Sequence, residues 1–316
     1  MHFAPDYIVP LWERMLSGLR SVKRGKLPRF FLLAEQHVDL NDVDNAPKNL
    51  PVEFVHTVEH LDEKRKASLF GSDALCLAPH WYDGLTLFLK AFRPWWTVDL
   101  ASSKPIAGTS ASLATCVNYV RRIVSQGPAM PHGGVPVLVG ETGIPFDLGG
   151  GMGDLETVTL LALDRTMSSL ERSLACFTLW NYTHTGTTAQ GDGWNGEDLS
   201  VFTEEARGLT GTAADENIYA GGRALAALIR PHARKVAGTP VSMRFDAAHP
   251  RRTFDFCFRH TAATREPTEI FVPQYQYPDG YSVKISDGEW RHDAKLQTLY
   301  VAAGTWTSAA QRVGPP

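Results

Sequence analysis

No stretch of the chain approaches the roughly 18 consecutive apolar residues of a membrane-spanning helix, so no transmembrane segment is expected. The N-terminus also lacks a charged segment running into an apolar one, so no secretory leader is expected, and a cytoplasmic or vacuolar location is favoured. Positive charge is not in excess: 31 Lys and Arg face 34 Asp and Glu, for a net charge of −3. That balance gives no footprint for nucleic acid, which needs clustered cations, and the basic run from Arg20 to Lys26 reads as a solvated helix end. Cysteine is scarce, with Cys76, Cys116, Cys176 and Cys257 far apart and no CxxC spacing. Cys76 and Cys176 lie in apolar runs, so free core thiols are expected rather than a disulfide framework. There is no HExxH, no paired Cys and no spaced His cluster, which disfavours zinc. A GxSxG elbow is missing, and the run from Gly149 to Gly153 matches neither GxGxxG nor a Walker loop. No metal and no cofactor are therefore expected.

What is present is the composition of a globular protein of 316 residues, 43% hydrophobic and 21% charged, for which two domains is the prior. Residues 6–22 place Ile8, Leu11, Trp12, Met15, Leu16, Leu19 and Val22 at three- and four-residue steps and predict an amphipathic helix. Four apolar runs read as buried strands: 30–34, 74–78, 135–139 and 175–179. Each runs into polar or aromatic residues, and helices are predicted over 109–126 and 155–173. Strands alternating with helices imply an α/β fold with a parallel sheet, whose functional groups gather at the C-terminal strand ends. A last helix is predicted over 216–235, with Pro231 kinking or ending it, and Gly238 and Pro240 mark a join between domains. Beyond it, five short strands over 241–245, 253–259, 268–272, 281–285 and 297–301 predict a small antiparallel β-sandwich. The division expected is thus 1–235 and 236–316.

Glu141 follows one predicted strand and is flanked by Gly140 and Gly143, which would let a ligand come close to the backbone. A Glu in that position is a structural hydrogen-bonding residue as often as a catalyst. Its neighbours favour catalysis. Trp180 closes the next strand with a flat face suited to a sugar ring, and Asn181 and Tyr182 add polar groups. His80 and Tyr82 end the preceding strand: a Tyr hydroxyl would orient a carboxylate and keep it ionised, and His80 could bind a sugar hydroxyl. Core packing for Trp180 and loop filling for the other two are the plain alternatives. The loop from Gly191 to Asp198, centred on Trp194, fits an EF-hand poorly and suits a substrate-facing loop or an ordinary turn.

Together PVLVGETGIPFDL, LWNYT and GDGWNGEDLS resemble the last two barrel strands of the endoglycoceramidase-related branch of glycoside hydrolase family 5, which includes glucosylceramide- and steryl-glucoside-cleaving β-glucosidases. HWYDGLTLFLK, AFRPWWTVDL, GGRALAALIRPHARKVAG and the stretch from TEIFVP to SDGEW resemble the same branch, and in the same order. The resemblance implies a (β/α)8 TIM barrel of which strands five to eight are present, followed by the β-sandwich. It implies Glu141 as nucleophile, while the residues themselves point to Tyr82 as its orienting donor and to His80, Trp180, Asn181 and Trp194 as substrate-binding residues. The substrate implied is a β-glucoside, glucosylceramide or steryl glucoside, cleaved with retention by two carboxylates, and contact with a membrane surface would serve to reach it. The family's Asn-Glu acid/base pair has no match in this chain. The expectation is therefore a truncated barrel, inactive alone, whose tail after Tyr300 also lacks a closing strand. A non-catalytic carbohydrate- or lipid-binding protein and a structural fragment are the competing readings.

Overall fold

The computed structural model describes residues 9–21, 32–34, 61–70, 75–99, 102–149, 154–209, 217–247, 252–302 and 309–314. The helices are α1 (Val9–Ser21), α2 (Glu63–Phe70), α3 (Gly84–Leu89), α4 (Thr109–Ala129), α5 (Leu155–Arg172), α6 (Glu204–Leu209) and α7 (Leu225–Leu228). The first strands are β1 (Leu32–Ala34), β2 (Leu75–Leu77), β3 (Trp96–Asp99), β4 (Lys104–Ala107), β5 (Leu138–Thr142) and β6 (Cys176–Leu179). The later ones are β7 (His232–Lys235), β8 (Gly238–Phe245), β9 (Phe254–His260), β10 (Thr268–Phe271), β11 (Ser282–Ile285), β12 (Glu289–Asp293), β13 (Thr298–Ala302) and β14 (Ala309–Gly314). They form two compact units that interleave in sequence, one of residues 1–83, 95–143 and 175–180, the other of 84–94, 144–174 and 181–316.

In the first unit the predicted βα grammar holds. β1 pairs with β2 and β5 with β6, both parallel. Backbone bridges Leu77 to Val137 and His80 to Glu141 join the two pairs into one row, β1-β2-β5-β6. Val9, Trp12 and Leu16 of α1 pack with Leu32, Ala34, Leu75 and Leu77 in one apolar cluster, as the helical spacing requires. Glu13 of α1 takes a forked ion pair from Arg65 of α2, at 2.7 and 3.0 Å. α4 buries Ser112, Cys116, Val117, Val120, Ile123 and Gln126, a helical stripe. The antiparallel hairpin β3-β4 was not foreseen, and Asp99 at its turn accepts a hydrogen bond from Tyr119 of α4. Cys176 is exposed, against expectation, because β6 is an edge of the described row and its side chains meet no further strand there.

In the second unit two antiparallel sheets, β12-β13-β10-β7 and β11-β14-β9-β8, share one core made of Phe245, Phe254, Phe256, Phe258, Ile270, Val272, Leu299 and Val301. The strict alternation of Phe254, Phe256 and Phe258 puts three rings on one face of β9. Three expectations need correction. The helix over 216–235 is a single short turn, α7, and His232 already opens β7, because Pro231 cannot continue a helix and forces Arg230 away from helical geometry. Gly238 and Pro240 lie inside β8, where the register with β9 shifts at Pro240, and so mark no join. A closing strand does exist: β14 inserts between β11 and β9. Its Ala-Ala-Gln-Arg sequence carries no strand signal, and strand pairing alone holds it extended.

A buried cation ties α5 to the sheets. Arg230, 5% exposed, donates from Nε to Glu171 at 3.0 Å and from Nη1 to Asp164 at 2.6 Å. Its Nη2 donates to Ser168 Oγ and to the Phe245 carbonyl, each at 3.1 Å. The second oxygen of Glu171 accepts the Phe245 N–H. Burial pushes the Glu171 carboxyl up, and the Arg230 charge and the Phe245 N–H oppose that shift. Removing the cation would leave two acids facing each other with little water. Arg230→Met is therefore expected to cost about 3–5 kcal/mol in urea unfolding; a loss below about 1 kcal/mol would show that the network contributes little.

His232 keeps an exposed edge on β7 while its ring lies against that of Phe271, 5.3 Å between centroids, and this partial desolvation lowers its imidazole pKa, an effect that solvent at the exposed edge keeps small. A lowered folded pKa means that the unfolded chain takes up the proton first, so this stability is complete above about pH 6.5 and is lost as pH falls below it. His232→Gln is expected to flatten the decline of Tm between about pH 6.5 and 5. An unchanged slope would assign the acid sensitivity to other groups.

Candidate active site

The site is built on β5, which runs between β2 and β6. Ladder geometry at its C-terminal end is irregular in one specific way. Gly140 donates its N–H to the Pro79 carbonyl, and the Glu141 carbonyl accepts the Trp81 N–H, both at 2.9 Å. In a regular parallel ladder a single residue opposite His80 would make both bonds. Here two residues divide them, which is a β-bulge. The β6 side records the same extra residue: Val139 pairs with Phe177, and the next pair is Thr142 with Leu179. Bulges bend a strand and re-aim a side chain, and the residue re-aimed here is Glu141.

Two groups hold the Glu141 carboxylate. The Tyr82 hydroxyl donates to Oε1, and His80 Nδ1 stands 3.4 Å from Oε2. Both come from the segment after β2, which the bridge between His80 and Glu141 sets beside the bulge. The carboxylate side chain is 26% exposed, so it is held and yet reachable. A carboxylate held through one oxygen by a hydroxyl, with an imidazole beside the other, and open to solvent can accept a proton, bind a hydroxyl or attack an electrophilic carbon.

The two glycines have distinct reasons. A Cβ on Gly140 would come within 3.0 Å of the Ala78 carbonyl. One on Gly143 would overlap the Trp180 carbonyl, while the Tyr82 ring stands 3.8 Å away. Trp180 also donates its N–H to the Thr142 carbonyl at 2.8 Å, so its backbone is registered against the segment that carries the carboxylate. Trp81 is buried, and Trp95 is 42% exposed. The Cys76 thiol is pushed up by burial and donates to the Leu77 carbonyl, which suits a packing residue rather than a nucleophile.

Asn181 and Trp194 lie in the second unit. The Asn181 side chain is engaged at both ends, donating to Asp192 at 3.3 Å and accepting from Thr183 at 3.3 Å. Asp192 in turn accepts the N–H groups of Trp194 and Leu199. It braces a tight loop at whose tip Trp194 is 58% exposed. Asp198 pairs with Arg223, whose guanidinium lies 4.0 Å over the Phe146 ring. The acids of this loop thus hold its shape, and among the described residues no group of three His, Cys, Asp or Glu could hold a metal ion. Sequence reasoning brought His80, Tyr82, Glu141 and Trp180 to one place. It missed the bulge, because strand periodicity carries no mark of one inserted residue.

Residues 230–313 match the glycoside hydrolase family 5 C-terminal domain. The chain is 30% identical to a glucosylceramidase of Rhizopus delemar over 94% of its own length and 42% of that protein. It is 22% identical to the ergosteryl-beta-glucosidase of Saccharomyces cerevisiae over 74% of its length and 39% of that protein. The whole chain superposes on 45% of Cryptococcus neoformans sterylglucosidase 1 with a TM-score of 0.76 at 22% identity, a shared fold. The chain therefore spans less than half the length of these relatives.

The glycine constraint is testable without any assay of activity. Gly143→Ala must displace the Trp180 carbonyl, and overpacking of this kind typically costs about 1–3 kcal/mol. A drop in Tm is expected for Gly143→Ala and none for Gly18→Ala, where a Cβ meets open space; equal Tm values for the two variants would contradict the geometry.

Proposed function

The chain belongs to the endoglycoceramidase- and sterylglucosidase-related glycosidases of glycoside hydrolase family 5, and on that premise we propose that it carries the nucleophile of a retaining β-glucosidase acting on a lipid-linked glucoside. The observation that carries this reading is the Glu141 carboxylate, bonded by Tyr82, flanked by His80 and open to solvent. Attack on an anomeric carbon needs an ionised and immobilised carboxylate. The Tyr82 hydroxyl serves both needs, because a hydrogen bond to the charged form favours it. Trp180 offers a face for the sugar, whereas the Asn181 side chain, expected to bind substrate, is taken up by Asp192 and Thr183. The four parallel strands are read as strands five to eight of a (β/α)8 barrel, with the sandwich beginning at β7 (His232–Lys235) rather than at residue 236. Glucosylceramide or a steryl glucoside is the substrate class the relatives' names suggest.

Retention requires a second carboxylate about 5–5.5 Å from the first, to protonate the leaving oxygen and then activate water. No residue of these 316 is assigned that role. The reaction proposed for the chain itself is accordingly the first half: the Glu141 oxygen forms a bond to the anomeric carbon as the bond to the aglycone oxygen breaks. A leaving group that is already a weak base needs no proton, which makes that half-reaction measurable on the chain as it stands. A binding-only role is the second reading, favoured by the missing match to an Asn-Glu pair.

One experiment separates the two. Incubation with 2,4-dinitrophenyl 2-deoxy-2-fluoro-β-glucoside is expected to add one fluoroglucosyl group, mapped by peptide mass spectrometry to Glu141. Tyr82→Phe should slow labelling about 10- to 100-fold, since it loses the orienting donor, and Glu141→Gln should abolish it. Labelling at another carboxylate would refute the assignment, and binding of glucoside without labelling would favour the second reading.

A further inference from the structure

The bulge that aims Glu141 leaves one polar group outside the ladder. With the Gly140 N–H on Pro79 and the Trp81 N–H taken by Glu141, the Gly140 carbonyl has lost the partner that a regular parallel pairing would give it. It is met from the other side. The Thr178 hydroxyl, on β6, donates to the Gly140 carbonyl. Thr178 falls in the gap between the pairs Val139–Phe177 and Thr142–Leu179, directly opposite the inserted residue. A hydroxyl on a short β-branched stem is well suited there, because its χ1 is stiff in a strand and it reaches a carbonyl that no backbone N–H of β6 is in register to reach.

We infer that Thr178 is a positioning residue for the nucleophile, fixing the bulge from the β6 side so that Glu141 faces Tyr82 and His80. The role rests on the nucleophile reading above only for its chemical consequence; the structural part stands on the ladder alone. A Cβ at Gly140 would stand 3.0 Å from the Ala78 carbonyl on the β2 side, so a side chain there would press on that strand rather than brace the turn. The brace has to come from β6. Without it the strand is free to relax toward regular pairing, and sliding the inserted residue along the ladder would turn the side chain at 141 toward the other face. Misplacement of a reacting group by about 1 Å costs on the order of 100-fold in rate.

Thr178→Val keeps the shape and removes the donor; Thr178→Ser keeps the donor. Hydrogen exchange followed by mass spectrometry on the full chain reads the bulge directly. The Gly140 and Trp81 amides are expected to exchange about five-fold faster or more in Thr178→Val, with α4 unchanged, and Thr178→Ser should restore the wild-type rates. Labelling by the fluoroglucoside should show the maximal rate falling about 10-fold or more in Thr178→Val, while the concentration for half-maximal rate holds. Exchange in Thr178→Val equal to wild type, no restoration by Ser, or faster exchange spread through α4 as well would each overturn the positioning role. A wild-type chain that takes no label overturns the nucleophile reading instead, and the exchange measurements still decide the bulge.

Discussion

The division of one ladder position between Gly140 and Glu141 is the constraint on which the rest of the site depends. Hydrogen bonding in a parallel sheet has a strict two-residue period, and a strand that kept it would hand each side chain to one of two faces without further choice. A single inserted residue breaks that rule locally. The carboxylate that results is reached by Tyr82 and His80 from the segment after β2, and the segment beyond it is registered by the Trp180 N–H. Each bond is modest alone, worth about 1 kcal/mol net. Their convergence on three residues, 140 to 142, is what makes the geometry rigid.

The second unit solves a different problem, the anchoring of two sheets and a helix through polar contacts in a dry place. Arg230 meets two acids, a hydroxyl and a carbonyl with its guanidinium donors, so that almost nothing polar is left over. An ion pair buried in this way adds little net stability over a well-packed apolar alternative. It does specify geometry, because Glu171 accepts the N–H of Phe245 and so fixes where β8 ends relative to α5. The alternating rings of β9 put three of the core's side chains on one face, and Arg230 ties α5 to the end of β8.

Much of the fold was legible in the chain. Parallel strands appeared where short apolar runs ended in polar residues, α1 came from three- and four-residue spacing, α4 and α5 from the helical stretches between those strands, and five sandwich strands from alternating or β-branched segments between turns. The failures share a cause. The expected helix over 216–235 is helical only over Leu225–Leu228, because Ala224 is left-handed and Ile229 is already extended, and Pro231 bars any continuation. β14 was missed because Ala, Gln and Arg have weak strand preference and are held extended by neighbours on both sides. Cys176 was placed in a core because its run is apolar, and it is exposed because burial depends on what lies across the sheet.

For the site, residue type and order alone determined that a glycine-framed Glu141 would stand at a strand end beside Tyr82, His80 and Trp180, since each belongs to an apolar run whose end the sequence marks. Tertiary structure alone decided that the strand is bulged there, that His80 faces the carboxylate, and that Asn181 is spent on bracing Asp192. The physical reason is that strand periodicity is a local property of the chain, whereas register is set by hydrogen bonds between strands far apart in sequence. An inserted residue costs the local pattern nothing and shows only when the neighbouring strands are laid beside it.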